Sequence, residues 1–184
     1  MIGNSLRGSK RHHSIILYYL SVLCFAFAGL AAAMARAAEP LPAPFSKVIL
    51  SIEGKVLVAN SQHGAEFDKA MLEAMPQQTV RTETPWTDGV TVFEGPLLST
   101  VLERVGAQGE VLEAAALNDY KVEIPVADAR RYPVIVALKM NGAALQVRTR
   151  GPLWVVYPWS QHAELQTETV YSRSIWQLSR ILVR

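Results

Sequence analysis

Cysteine is almost absent from this 184-residue sequence, which contains a single one, Cys24. That residue lies in an uncharged N-terminal run, so removal of the run on export would leave a chain without a thiol. Such a chain can form no disulfide, has no thiolate nucleophile and offers a metal no thiolate ligand. Histidine is also scarce, and the two that follow the run, His63 and His162, are far apart in the sequence. We therefore predict no metal site and assign no catalytic residue.

Acidic residues are missing from the N-terminus, where the first is Glu39. The chain has 18 Lys+Arg and 16 Asp+Glu, but four of the basic residues precede residue 38: Arg7, Lys10, Arg11 and Arg36. The remainder is therefore slightly acidic. Because a protein that binds a phosphate backbone needs a basic surface, we exclude nucleic acid as a partner. With 18% charged and 50% hydrophobic residues, the composition excludes a disordered chain.

Residues 1–37 have the pattern of an export signal. A basic segment precedes an uncharged run over residues 15–33, and Ala35 and Ala37 place small residues at the −3 and −1 positions of a cleavage site. We expect cleavage after Ala37 and a periplasmic location. The alternative is an uncleaved membrane anchor, since the run approaches the ~20 residues that span a bilayer. A proline-rich linker over 38–46 and a single domain over 47–184 follow.

Hydrophobic periodicity after the linker indicates short strands with a few helices between them. Helical spacing predicts helices at 65–75 and 96–105, with Gly106 as the C-terminal cap of the second, and one helical turn at 127–131. Asn141-Gly142 predicts a tight β-hairpin. Strands are predicted at 48–54 with a continuation at 56–58, and at 79–84, 90–93, 112–117, 121–126, 134–138, 145–148, 153–157 and within 171–183. The fold class is therefore α+β, a mixed β-sheet core with two or three short helices.

Large aromatic residues and arginines recur in the predicted loops. Arginine binds phosphate through paired hydrogen bonds and stacks on rings, and loop aromatics can hold a flat heterocycle. If a ligand is bound, we expect it to contact Trp86, Asn118, Tyr120, Arg148, Arg150, Tyr157 and Trp159. The competing interpretation is that Trp154, Tyr157 and Trp176 belong to the core, since strands commonly bury such rings.

Several motifs in a fixed order resemble those of the sulfite-oxidase-type molybdopterin-binding domain. Residues 84–89 read TPWTDG, and residues 93–98 read FEGPLL and lead into the helix that ends before Gly106. Asn118-Asp119-Tyr120 is followed by VEIP at 122–125, and Asn141-Gly142 is followed by GPL at 151–153. The likeness covers about residues 79–180.

The resemblance implies a mixed α+β fold with twisted sheets, an exported envelope protein, and a pterin-bound molybdenum that transfers oxygen atoms to or from small substrates. Catalytic members of that family hold the metal through a cysteine thiolate upstream of the tryptophan–glycine turn. Here residues 79–84 read TVRTET, and a hydroxyl is a hard ligand that does not simply replace a soft thiolate. Trp154 also stands where the family often has arginine.

Three hypotheses of function follow. The first is a non-catalytic module of the periplasm that binds no molybdopterin and takes a small anionic or heterocyclic ligand, or an envelope partner protein. The alternative is a molybdopterin-dependent oxidoreductase with unusual metal ligation, for example through Glu83 or on a bare cofactor. The third is a sensor or accessory subunit that forms a stable complex with a membrane protein.

Overall fold

The computed structural model describes residues 40–184, so the predicted export signal and its cleavage site lie outside the described residues. The strands, in chain order, are β1 (Val48–Gly54), β2 (Ala65–Asp68), β3 (Gln77–Thr84), β4 (Thr87–Pro96), β5 (Val111–Ala116), β6 (Lys121–Pro125), β7 (Ile135–Ala137), β8 (Lys139–Met140), β9 (Ala143–Ala144), β10 (Trp154–Val156) and β11 (Leu178–Val183). The helices are α1 (Lys69–Glu73), α2 (Leu98–Arg104), α3 (Val126–Arg131) and α4 (Glu168–Arg173). Within this range, no helix combines the length and the apolar character needed to cross a membrane.

A five-stranded mixed sheet has the strand order β2-β1-β11-β5-β6. Strands β1 and β11 run parallel, with Ile52 opposite Ile181, and every other neighbouring pair is antiparallel. Alternation along β1 buries Leu50 and Ile52, because successive side chains of a strand point to opposite faces. The predicted first strand is thus confirmed, and the last strand of the chain lies beside it.

A second sheet, with the order β3-β4-β8-β9, packs close to a ribbon formed by β7 and β10. Gly95 of β4 makes this approach possible, since a Cβ at that position would overlap the carbonyl oxygen of Val136 in β7. The predicted hairpin between β8 and β9 is confirmed. Asn141 and Gly142 have φ values of 49° and 76°, the left-handed pair that a two-residue type I′ turn requires.

The predicted helix at 65–75 is wrong over its first four residues, which form β2 instead. Phe67 pairs with Leu50 of β1, and this pairing buries its ring completely. The helix begins at Lys69 because the Asp68 carboxylate caps it, accepting the Met71 N–H at 2.9 Å. Tertiary pairing therefore outweighs the helical spacing of the apolar residues.

Three other boundaries differ from the prediction. Residues 56–58 form no strand; the Leu57 N–H donates to the Val105 carbonyl at 2.9 Å behind α2. Pro96 ends β4, so α2 starts later than predicted, although Gly106 does end it with a φ of 59°. Residues 145–148 give no return strand, because β9 ends at Ala144 and a 3-10 turn follows at Val147–Thr149. The α+β class with mixed sheets is confirmed, with four short helices rather than two or three among residues 40–184.

Candidate functional site

A cleft opens where the turn between β3 and β4 meets the end of the five-stranded sheet. Its volume is about 300 Å³. It is bounded by that turn, by the β5–β6 turn, and by α4 with the segment that leads into β11. We call it the aromatic cleft, and its lining residues are Trp86, Ala116, Asn118, Tyr120, Tyr171, Ser172, Ser174, Ile175 and Trp176.

Trp86 is the central ring of the site. Its centroid lies 5.6 Å from that of Trp176 and 6.0 Å from that of Trp154, and both pairs are strongly tilted or edge-to-face. Trp159 and Tyr171 lie on other sides of it, at 6.1 and 6.2 Å. These spacings are those at which aromatic pairs attract one another. All four tryptophans of the chain therefore meet in or directly behind the aromatic cleft.

Arg150 packs against two of these rings and stabilises their arrangement. Its guanidinium lies 5.3 Å from the ring centroid of Trp154 and 6.0 Å from that of Trp176, within the range of a cation–π interaction. Its Nη2 donates to the Trp86 carbonyl at 2.8 Å. The side chain thus fixes the β3–β4 turn against the ribbon.

Backbone strain concentrates around the aromatic cleft. Among the described residues, the non-glycine residues with positive φ are Asp119, Asn141, Arg150 and Gln177. Asp119, Arg150 and Gln177 lie in the loops around the cleft. Two of them are joined directly, since the Gln177 N–H donates to the Arg150 carbonyl, and the Leu117 N–H donates to the Gln177 carbonyl. Such conformations persist only where surrounding structure enforces them, and they cluster at functional sites.

A buried polar network supports the wall that α4 forms. The Tyr157 hydroxyl donates to Asp128 Oδ2 at 2.9 Å, and Arg173 Nη1 donates to the same oxygen at 2.8 Å. Burial, reinforced by the Asp128 carboxylate, raises the pKa of Tyr157 well above its ordinary value, so the hydroxyl stays a donor. Arg173 is the last residue of α4, and the network therefore ties the cleft wall to α3.

Strand β3 presents three side chains to the interior next to the cleft: Val80, Thr82 and Thr84. Thr82 Oγ1 donates to the Glu83 carbonyl at 3.0 Å and accepts the Ser160 N–H at 3.0 Å. Thr84 Oγ1 shares a hydrogen with Thr87 Oγ1 at 2.8 Å and accepts the Trp86 N–H at 3.1 Å. The Thr84 hydroxyl therefore shapes the β3–β4 turn, and the Thr82 hydroxyl joins β3 to the 3-10 turn that contains Ser160.

Glu83 lies on the opposite side of β3 and is exposed to solvent. It is therefore not positioned among the inward-facing residues of the strand, where the alternative hypothesis needs it. In residues 40–184, no group of three or more His, Asp or Glu side chains lies together in a metal-binding arrangement, and this range has no cysteine. His162 pairs instead with Glu164, through Nδ1 at 3.6 Å.

The structure separates the seven predicted ligand contacts into groups. Three of them line the cleft: Trp86, Asn118 and Tyr120. Tyr157 and Trp159 are almost wholly buried behind the cleft, so their side chains cannot touch a ligand in this arrangement. For Tyr157, this is the position that the competing core interpretation predicts. Arg150 stacks on the rings outside the lining. Arg148 is exposed on the 3-10 turn and does not line the cleft.

Six of the nine lining residues were not predicted as ligand contacts, and two of these six are aromatic. Trp176 was interpreted as core but keeps 38% of its surface exposed, because it forms the rim of the cleft. Tyr171 falls in a region predicted as strand, whereas Thr167 caps α4 by accepting the Val170 N–H at 3.3 Å. In the sequence, Thr167 followed by Glu168 is a typical helix N-cap pattern, and it is the signal that could have predicted this helix. Trp159 Nε1 is a buried donor without an acceptor among the described residues, next to the rings of Trp86 and Tyr171.

The chain is similar to known proteins in both sequence and fold. The family model described as oxidoreductase molybdopterin binding domain matches residues 50–164, more than half of the chain. No curated protein sequence matches the chain. The crystal structure of the sulfane dehydrogenase SoxCD from Paracoccus pantotrophus is similar, with a TM-score of 0.54 and 19% identity, over 73% of this chain and 37% of that one. This chain therefore spans little more than a third of that protein, and at this identity the likeness shows the fold alone.

Proposed function

The chain belongs to the oxidoreductase molybdopterin-binding domain family, as its motifs predict, and we propose that it is a non-catalytic member that binds a small ligand in the aromatic cleft. The observation that carries this proposal is the chemistry of β3. Its inward positions are Val80, Thr82 and Thr84, none of which has a sulfur. The resemblance places the metal-binding cysteine of catalytic members in this stretch of the chain.

The residues beside the cleft do not fit a protein-ligated molybdenum. A hydroxyl is a hard, weakly acidic ligand, so it does not simply replace the soft thiolate that catalytic members use. Thr82 would also have to give up hydrogen bonds to Glu83 and Ser160 at 3.0 Å. Thr84 would have to give up those to Thr87 and Trp86, at 2.8 and 3.1 Å, which hold the β3–β4 turn. We therefore assign no oxygen-transfer chemistry to this chain.

The cleft itself supports ligand binding. It is concave, it is lined mostly by aromatic and small residues, and its rim is set by residues in strained backbone conformations. These are the ordinary properties of a small-molecule site. Its walls are also fixed in advance, by Arg150 on one side and by the Tyr157–Asp128–Arg173 network on the other, which lowers the entropic cost of binding.

Metal and pterin analysis of the protein purified from its own host tests the proposal. We expect no stoichiometric molybdenum and no pterin. A tightly held molybdenum that changes oxidation state would overturn the proposal and support the alternative, an oxidoreductase with unusual ligation.

The same sample tests the proposed periplasmic location, which is supported by the pattern of residues 1–37. Mass spectrometry should find Ala38 as the first residue, and a retained Met1 would refute cleavage.

A further inference from the structure

We propose that the aromatic cleft takes a flat, uncharged aromatic molecule of one or two rings whose edge carries hydrogen-bond acceptors. This rests on the proposed ligand-binding function and adds the chemical class of the ligand. This class of ligand is narrower than the one expected from sequence, where Arg148 and Arg150 indicated an anionic ligand as an alternative to a heterocycle. The reasons lie in the charge, the shape and the polar groups of the lining.

Among residues 40–184, no charged side chain lines the cleft. An anion that entered it would leave water for an apolar surface without a cationic partner, and burial of an unpaired charge is strongly unfavourable. Arg150 does not supply that partner, because its guanidinium is stacked on Trp154 and Trp176 and donates to the Trp86 carbonyl. Arg148 lies outside the lining.

A cationic ligand is disfavoured for a different reason. Aromatic rings attract cations, and Trp176 would otherwise be a suitable wall. Arg150 already uses this ring as a cation–π partner at 6.0 Å, so less of the Trp176 ring surface is left for a second cation. No carboxylate in the described part of the chain lines the cleft, so the loss of hydration of a buried cation would not be compensated.

Shape and size favour a flat ring. Four of the lining residues are aromatic: Trp86, Tyr120, Tyr171 and Trp176. Ring walls of this kind gain most from a planar aromatic guest, because stacking adds to the burial of apolar surface. A volume of about 300 Å³ is at the small end of ligand sites, which limits the guest to one or two rings.

The polar groups of the lining call for acceptors on the ligand. Asn118 Oδ1 accepts the Tyr120 N–H at 3.2 Å, which leaves the Asn118 Nδ2 donor unused by the described residues. The hydroxyls of Tyr120 and Tyr171 likewise have no protein acceptor in residues 40–184. Ser174 is different, since its hydroxyl donates to the Val155 carbonyl. Three donors therefore remain for carbonyl oxygens or ring nitrogens of a guest.

Three bicyclic probes separate these properties. Coumarin is flat and uncharged and has one lactone carbonyl as an acceptor, coumarin-3-carboxylate adds a negative charge, and naphthalene lacks acceptors. The readout is the set of indole N–H signals in the NMR spectrum of the ¹⁵N-labelled protein, because all four tryptophans lie in or behind the cleft. We expect coumarin to shift the Trp86 and Trp176 signals saturably. The carboxylate should bind at least about tenfold more weakly, and naphthalene roughly two- to tenfold more weakly.

Two variants localise the effect. Tyr120→Ala should weaken coumarin about fivefold or more, since it removes a stacking wall. Tyr120 is exposed, so the fold should tolerate this change. Phe45→Ala is the matched control, an exposed aromatic away from the cleft, and should leave coumarin affinity unchanged.

The outcomes distinguish this inference from the proposed function. Equal or tighter binding of the carboxylate would overturn the uncharged class, and so would a sample in which none of the probes shifts a tryptophan signal. If that sample also lacks molybdenum and pterin, the non-catalytic assignment still stands. If coumarin binds but Tyr120→Ala does not weaken it, the guest occupies another surface and the inference is wrong.

Discussion

Replacing Asp128 with alanine removes the acceptor that joins two elements behind the aromatic cleft. Asp128 Oδ2 receives one hydrogen bond from the Tyr157 hydroxyl and one from Arg173, at 2.9 and 2.8 Å. In the variant, the buried Tyr157 hydroxyl has no acceptor, and Arg173 loses its only ion pair among the described residues. We expect both lower stability and a looser cleft wall.

The magnitude follows from the two hydrogen bonds and their exposure. A hydrogen bond to a charged group contributes about 1.5–3 kcal/mol, so two give an upper value near 6 kcal/mol. The side chains of Asp128 and Arg173 are 15% and 23% exposed, and water therefore reaches Arg173 and recovers part of this loss. We expect the free energy of unfolding to fall by about 2–4 kcal/mol.

Urea denaturation followed by circular dichroism measures this change. The control is Glu73→Ala, which breaks an exposed pair with Lys69 at 3.5 Å and should cost at most about 1 kcal/mol. Combining Asp128→Ala with Tyr157→Phe should cost less than the sum of the single changes, because both break the same bond. Equal stability of the Asp128 and Glu73 variants, or strict additivity in the double variant, would refute the network.

Three further changes test other parts of the structure. Gly95→Ala should lower the free energy of unfolding by about 1–3 kcal/mol in urea melts, since its Cβ overlaps the Val136 carbonyl, and a neutral effect would contradict the close packing of β4 on β7. Arg150→Lys should lower it by about 1–3 kcal/mol through loss of planar stacking, and an unchanged melt would mean that charge alone suffices. Hydrogen bonds from backbone N–H groups, that of Met71 first, hold the pKa of Asp68 below its ordinary 3.8. A depressed pKa gives the folded protein a stability that is fully present above pH 3.8 and is lost as the pH falls further. Asp68→Asn should therefore lower the free energy of unfolding at pH 7 and come close to the wild type near pH 2. A difference between the two proteins that does not change with pH would refute this origin.

Sequence predicted those elements whose signals are local. The Asn141-Gly142 turn and the Gly106 helix end were both located correctly, because each needs a left-handed residue that few side chains adopt. The prediction of a helix at 65–75 failed because the pairing of Phe67 with β1 is a contact between distant segments. Apolar spacing in a short window does not contain that information.

Part of the cleft lining coincides with residues that the sequence proposed as ligand contacts. Trp86 and Tyr120 line the cleft, and the turn residues around each of them had indicated loop positions. Their contact with a ligand stays a prediction. Tyr157 and Arg150 were also proposed as contacts, yet their polar groups point to Asp128 and to the Trp86 carbonyl. Whether a loop arginine meets a ligand or a ring depends on which strands pack behind it, and the sequence does not specify that.

The residues behind the cleft and the residues on its rim differ in how much a substitution affects stability. Residues behind the cleft, such as Arg150 and Tyr157, are committed to ring packing and to a buried carboxylate, so most substitutions there reduce stability before they alter binding. Asn118 and Tyr120 are exposed on a turn and line the cleft. Substitutions at these two positions should therefore change the affinity for the proposed ligand at little cost to the fold.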